Sequence, residues 1–319
     1  MKKLSVVLIS IFLAGCATTE KADVNVVALK GPTAMGMVNF MDRVDQNEQF
    51  DNNYNFNIVS SVDEATTMLV KDEADIVALP ANLGSVLYNN TNGEITATAI
   101  NTLGVLYILE NGNSINTIED LKGKTIVSSG KGATPEMTLR YILEENGIDP
   151  DKDINIEWKS EHAEVLAHLI ANENTIAMMP EPFVTTALQK DENITRALDL
   201  TKEWDKIQAD NPEKSSLITG ILVARNDFIE NNPQALDEFL TNYEQSVNFV
   251  NSDTEASAKL VSDYNIVPFE TAIDAIPNCN ITFIEGNDLQ NKLSGYLEVL
   301  FEQNPNSIGG ALPDEAFYY

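Results

Sequence analysis

Apolar positions along this 319-residue chain follow two alternating rhythms. Short β-branched runs predict strands over Val24–Leu29, Phe56–Ser60, Asp75–Leu79, Ile95–Ile100, Val105–Leu109, Thr125–Ser128, Ile154–Trp158, Ile176–Met179 and Ile218–Ala224. Between them, apolar spacing of three to four residues predicts helices over Met35–Val44, Val62–Lys71, Ala81–Tyr88, Pro135–Asn146, Ala163–Asn172 and Pro182–Gln189. Strands alternating with helices imply βαβ units and mainly parallel sheets, an α/β fold class. After Ala224 the pattern turns helical, over Pro233–Asn251, Thr254–Tyr264, Phe269–Ala275 and Asp288–Gln303. The length accommodates one large domain or two ordinary ones.

One stretch, Thr125–Arg140 (TIVSSGKGATPEMTLR), organises the rest. A strand runs into a loop with two glycines, and a helix opens with Thr134 as N-cap and Pro135 in the first helical position, a preferred start. Leu29–Met41, Ile76–Leu87 and Ile176–Leu188 repeat the plan, an apolar run followed by a proline and a helix start. The first turn of a helix leaves backbone N–H groups without intrahelical partners, and these suit anions. Four such units predict a common concave face at the carboxyl ends of the strands, where ligands of open α/β sheets sit.

The amino end predicts location. Lys2 and Lys3 precede an apolar run, Leu4–Leu13, too short to span a bilayer, followed by Leu13-Ala14-Gly15-Cys16. Residues 1–15 read as a signal peptide, and 16–23 as a tether whose Cys16 becomes lipidated in the manner of a bacterial lipoprotein. The body is then expected at the extracytoplasmic face of the membrane, held only through that anchor. Cys279 alone remains as a thiol, so no disulfide framework is expected and Cys279 reads as a core residue. Charge is lopsided, with 20 Lys+Arg against 49 Asp+Glu and a formal net of -29. Such a body repels nucleic acid and anionic membrane surfaces.

Two extended stretches, Thr96–Leu109 with Gly104 and Leu217–Ala224 with Gly220, read as antiparallel crossovers between two lobes. Residues 24–104 with 221–319 would form the first lobe and 105–220 the second.

The segments KGPTAMGMVNFM (30–41), IEDLKGKTIVSSGKGATPEMTLRYILEENGID (118–149), MMPEPFVTTAL (178–188) and TGILVARNDFIENNPQALDEFL (219–240), behind a lipobox, resemble the substrate-binding lipoproteins of ABC importers. Within these, the chain is similar to the group that binds nitrate, sulfonates, taurine and thiamine-pyrimidine precursors. The resemblance runs from Cys16 to the DEAFYY tail. It implies a two-lobed type II periplasmic-binding-protein architecture with two crossover strands and a helical carboxyl-terminal region. It also implies capture of a small molecule (a small anion, a sulfonate or an aminopyrimidine-like heterocycle), delivery to an ABC permease, and a monomer needing no cofactor. Carried over by position, the ligand-binding residues are Gly31, Pro32, Thr33 and Met35, then Pro80, Ala81 and Asn82, in the first lobe. In the second they are Gly130, Lys131, Gly132, Ala133 and Thr134, then Glu181 and Phe183, with Thr219 at the returning crossover. The PEPF segment lacks the tryptophan of sulfonate binders, so sulfonate specificity does not transfer.

The residue chemistry agrees with binding. Helix starts and glycine loops supply N–H donors, and Lys131 a positive charge. Glu181 offers an acceptor for an amino or amidine group, and Phe183, Met35, Met178 and Met179 offer apolar faces, although core filling is the more ordinary role of methionine. Catalysis finds little support. His162 and His168, the only histidines, are six residues apart and do not share a helix face as a metal pair would, so both read as surface or packing residues. SGKGAT (129–134) lacks the order of a nucleotide P-loop, no GxSxG is present, and neither a zinc cluster nor another metal site is expected. Two other readings are a ligand-sensing or surface-interaction lipoprotein, and an enzyme like the pyrimidine synthase that shares the fold.

Overall fold

The computed structural model describes residues 21–209 and 215–319; the expected signal peptide and Cys16 lie outside them. In chain order the elements are β1 (Asp23–Leu29), α1 (Pro32–Met35), α2 (Val38–Asp45), β2 (Asn53–Val59), α3 (Val62–Val70), β3 (Ile76–Pro80), α4 (Ala81–Asn90), β4 (Ile95–Leu103) and β5 (Leu106–Asn111). Then come β6 (Thr125–Ser129), α5 (Thr134–Glu145), β7 (Asn155–Lys159), α6 (His162–Ala171), β8 (Ile176–Pro180), α7 (Phe183–Lys190), β9 (Ile194–Asp199), α8 (Leu200–Ile207) and β10 (Ile218–Arg225). The helical end comprises α9 (Asn226–Asn231), α10 (Pro233–Ser252), α11 (Thr254–Asp263) and α12 (Phe269–Ala275), then β11 (Ile281–Ile284) and α13 (Gly286–Gln303).

The strands divide into two sheets. One has the order β11-β4-β10-β3-β1-β2 and the other β7-β6-β8-β5-β9. β1, β2 and β3 are parallel neighbours, as are β6, β7 and β8, so their carboxyl ends line up on one edge of each sheet. β4 and β10 lie side by side and antiparallel. Only Gly104 and Val105 separate β4 in one sheet from β5 in the other. Close packing explains Gly104, since a Cβ there would collide with Thr201 and with Leu217.

Apolar faces set the layers. One face of each sheet joins a single shared core: Leu79, Ile100 and Ile221 of the first sheet, Ile108, Ile126 and Met178 of the second, and Leu293, Tyr296 and Leu297 of α13. Helix α13 therefore spans both sheets, and its Tyr296 ring lies 5.7 Å from that of Trp204 in α8. The opposite faces keep separate cores. α2 and α10–α12 cover the first sheet, with Phe40, Phe239 and Tyr243 inside, and α6 and α7 cover the second. On that side the two halves meet through polar contacts instead. Gln189 Nε2 donates to Glu270 O at 2.7 Å and to Asp274 Oδ2 at 2.8 Å. The Tyr107 hydroxyl donates to Asn278 O at 2.9 Å, and Arg196 Nη1 to Asn278 Oδ1 at 2.7 Å.

Several elements differ from the sequence expectation. The single helix expected over Met35–Val44 is two, α1 and α2, broken at Gly36 and Met37. Gly36 lies where a Cβ would press within 2.8 Å of the Tyr243 hydroxyl. β9, α8, α9 and β11 were not anticipated. Among the described residues no helix is long and apolar enough to cross a membrane.

Candidate functional site

The loop between β6 and α5 is shaped by its glycines. Gly130 and Gly132 take φ of +82° and +77°, a left-handed conformation that disfavours other residues. Gly132 N–H donates to Glu136 Oε2 at 2.7 Å, which ties the loop to the helix it precedes. The cap is Ala133, not Thr134, and Pro135 falls one place later than expected. Thr134 is thereby the first helical residue, and its hydroxyl is free for another use. It donates to Asn82 Oδ1 at 3.1 Å, across from the second sheet's loop to the first turn of α4. Asn82 is held for this by donating its own amide to Ser307 O at 3.1 Å. Two residues expected at a shared face, from the ends of different sheets, therefore touch.

Ser129 and His162 were not anticipated as a site. Ser129 ends β6 and is buried, and His162 opens α6; their Oγ and Nδ1 lie 2.6 Å apart. Phe183, the first residue of α7, sets its ring 5.3 Å from the imidazole. The ends of β6, β7 and β8 thus contribute a hydroxyl, an imidazole and an aromatic face to one corner. Burial holds the His162 imidazole below its usual range, with the Glu161 charge pulling weakly the other way. At neutral pH the ring is therefore neutral, able to donate from one nitrogen and accept at the other. His162 packs against Phe183, within the expected surface or packing role, but its bond to Ser129 does not show in the sequence, because Ser129 lies 33 residues away and no local pattern connects the two.

Glu181 is fully buried as a side chain and already partnered. Its Oε1 meets Arg196 Nη2 at 2.5 Å, and its Oε2 accepts from Thr185 N–H at 3.0 Å. Burial raises its carboxyl pKa, opposed by the Thr185 bonds and the Arg196 charge. Arg196 in turn lies 4.5 Å from the centre of the Tyr107 ring. Both oxygens of Glu181 are thus engaged inside the protein.

Other expected residues divide. In the first half, Gly31 (φ +136°) leaves open space where a Cβ would stand, and Pro32 follows at the start of α1. Thr33 is buried, with its hydroxyl donating to Leu29 O at 2.8 Å. Pro80 pairs with Gly220 at the end of β3, Ala81 is buried beside it, and Thr219 is half-buried at the start of β10. Lys131 is exposed and forms no ion pair among the described residues. Met35 is not at a cleft surface: it is fully buried, 3.9 Å from the Cys279 sulfur, and Met178 and Met179 are core residues too. Among the described residues no group of His, Cys, Asp and Glu is placed to hold a metal ion.

Residues 44–275 match the family model described as ABC transporter, phosphonate, periplasmic substrate-binding protein. The chain belongs to this family of substrate-binding proteins. The binding protein is similar in fold to an ABC transporter protein from Parabacteroides distasonis, with a TM-score of 0.77, 21% identity, and 93% of this chain and 98% of that chain covered. It is also similar to the periplasmic aliphatic sulphonate binding protein SsuA from Escherichia coli, at a TM-score of 0.71 and 14% identity over 92% of each chain. The periplasmic nitrate-binding protein NrtA from Synechocystis PCC 6803 matches at a TM-score of 0.56 and 14% identity, covering 85% of this chain and 75% of that one. A search of curated proteins by sequence found no match. The architecture is the two-lobed α/β fold of type II periplasmic binding proteins, as the sequence implied. This binding protein is accordingly a substrate-binding component of an ABC import system, a role that is in general not enzymatic.

Proposed function

We propose that the protein captures a compact oxyanion of the phosphonate or sulfonate type between its lobes and delivers it to an ABC permease. The observation that carries this reading is the Ser129–His162 pair at 2.6 Å, set beside the helix start Gly130–Thr134. Within the pair one member donates to the other, which leaves one donor for a guest, the Ser129 hydroxyl or the imidazole Nε2–H; the Thr134 N–H at the start of α5 is a second, and the helix dipole adds positive potential. Phe183 supplies the apolar face against which a short organic tail lies. An aminopyrimidine ligand is the less supported alternative, because the carboxylate that would receive its amine, Glu181, is committed to Arg196 and Thr185. The phosphonate in the family model's description points the same way.

The lobes are read as 24–104 with 221–319 and 105–220, and Asn82 with Thr134 marks where they close. A ligand favours the closed state only through contacts absent from the open one. Taking the balance from mostly open to mostly closed requires about 5.5 kcal/mol of such contact energy. Several charge-assisted hydrogen bonds at about 1.5–3 kcal/mol each reach that figure.

Titration calorimetry with methylphosphonate, ethanesulfonate, nitrate and an aminopyrimidine tests the reading. Saturable binding of methylphosphonate or ethanesulfonate is expected, weakened tenfold or more in Ser129→Ala and His162→Ala. Binding of the aminopyrimidine alone would overturn it. Residues 1–15 and Cys16 are proposed as a lipoprotein signal and its acylation site, so Cys16→Ala should move the protein from the membrane to the soluble fraction. Retention at the membrane would refute the anchor.

A further inference from the structure

Strand β4 carries an irregularity that the anion site does not use. Its pairing with β10 steps from Gly220↔Thr102 to Ile221↔Ile100, which leaves Asn101 as an extra residue with nothing opposite. Bulges of this kind re-aim a side chain and are frequent beside functional sites. Asn101 lies close to the end of β4, where the chain passes from one lobe to the other. It is wholly buried, and neither its Nδ2 nor its Oδ1 has a hydrogen-bond partner among the described residues. An unpaired buried polar group destabilises a fold, and Asn is a poor strand former as well. On folding grounds alone the position favours an apolar residue of the same size.

Its neighbours show where the carboxamide lies. A Cβ on Gly220 would collide with Asn101 Oδ1 and come within 2.6 Å of Thr33 Cγ2. The Asn101 amide and Thr33 therefore meet over Gly220, beneath the loop that follows β1. The Thr33 hydroxyl is turned away to Leu29 O, so it does not serve the amide.

We propose that Asn101 determines specificity, its carboxamide reading a hydroxyl group on the organic tail of the captured oxyanion. The inference rests on the oxyanion reading, with the charged end held at Ser129 and His162. A carboxamide presents one acceptor and one donor group side by side, and a hydroxyl answers both. An ammonium only donates and leaves Nδ2 unpaired, and an alkyl tail leaves both atoms unpaired. Sites built to pair a buried hydroxyl reject the analogue that lacks it far more strongly than sites that merely differ by a methylene.

The test is calorimetry with ω-hydroxyalkylphosphonates and the matching alkylphosphonates, at tail lengths of two to four carbons. At one length at least, the wild type should bind the hydroxyl member tenfold or more tightly. Asn101→Leu should bring that ratio to about one while still binding the alkyl member, and Asn101→Ala serves if the leucine variant does not fold. A ratio that survives in the variants, or no preference at any length in the wild type, overturns the proposal. A higher melting temperature in unliganded Asn101→Leu with the ratio unchanged would assign the amide to an ordered water only, and also overturns it. If the wild type binds no phosphonate or sulfonate, the oxyanion reading fails on its own. Asn101 is then decided by native mass spectrometry of protein purified from its own cells. Loss of the co-purifying mass in Asn101→Leu supports the role, and retention at the wild-type level ends it.

Discussion

The buried pair Glu181–Arg196 yields a prediction about stability whose order is fixed by exposure. The Glu181 side chain is 0% exposed, whereas Arg196 keeps 26% of its side-chain surface in water. Replacing Arg196 with methionine strands a carboxylate that retains only the Thr185 bonds. Breaking a buried pair from the side that leaves an enclosed charge costs about 3–5 kcal/mol. Replacing Glu181 with glutamine is milder. Arg196 would still donate to Asn278 Oδ1 at 2.7 Å, lie over the Tyr107 ring and reach solvent. One charge-assisted bond is then at stake, about 1.5–3 kcal/mol. The double variant should fall below the sum of the singles, because the stranded charge is gone; coupling between contacting residues is about 0.5–3 kcal/mol. Urea unfolding, followed through the buried indole of Trp204, measures all three. Acid should partly rescue Arg196→Met. Burial already raises the Glu181 pKa in the folded state, so protonation there favours folding, and that stability is lost as pH rises through the folded value. Equal effects of the two single variants, additive losses, or no acid rescue would refute the reasoning.

Two further outcomes follow from the site. His162 has its folded-state pKa lowered by burial, so its contribution to stability is complete above the unfolded value of about 6.5 and declines as pH falls through the folded one. Denaturation curves at several pH values should show this slope, and His162→Gln should flatten it; an unchanged slope would show that the imidazole is not the titrating group. Thr134→Val removes the donor to Asn82. It should weaken ligand binding by about 0.5–1.5 kcal/mol, read by calorimetry with the tightest oxyanion, without changing the melting temperature of the unliganded protein by more than a few degrees. Undiminished affinity would remove this bond from closure.

The alternation of runs with period two and period 3.6 made most of the fold legible before any coordinates, because strands buried on both faces and helices with one apolar stripe leave distinct marks. β9 (ITRALD) left none. It lies at a sheet edge with mostly half-buried residues, and its pairing with β5 is what makes it a strand. The need for glycine at 36 comes from Tyr243, far along the chain, and so does not show in local spacing. For the site, the helix starts were legible as glycine and proline punctuation, and Thr134 met Asn82. Its expected capping role was wrong by one residue, which is the usual margin at a helix end. Ser129 with His162, and Asn101 over Gly220, required the register of neighbouring strands, since each pairs residues far apart in sequence. Glu181 looked available because a carboxylate after a strand gives no sign of the arginine that will neutralise it.

The shared core under α13 and the hydrogen bonds between α7 and α12 make the two rims of the molecule unequal. Water replaces a hydrogen bond nearly one for one, but it cannot stand in for the packing of Tyr296 against Trp204. The molecule should therefore swing like a book about its α13 spine, gaping widest along the rim where Gln189 faces Asp274, while nearer the spine only the Thr134–Asn82 bond parts. Guests then have one doorway, and a covalent tie across it, such as a cysteine pair at 189 and 274, would imprison whatever was inside.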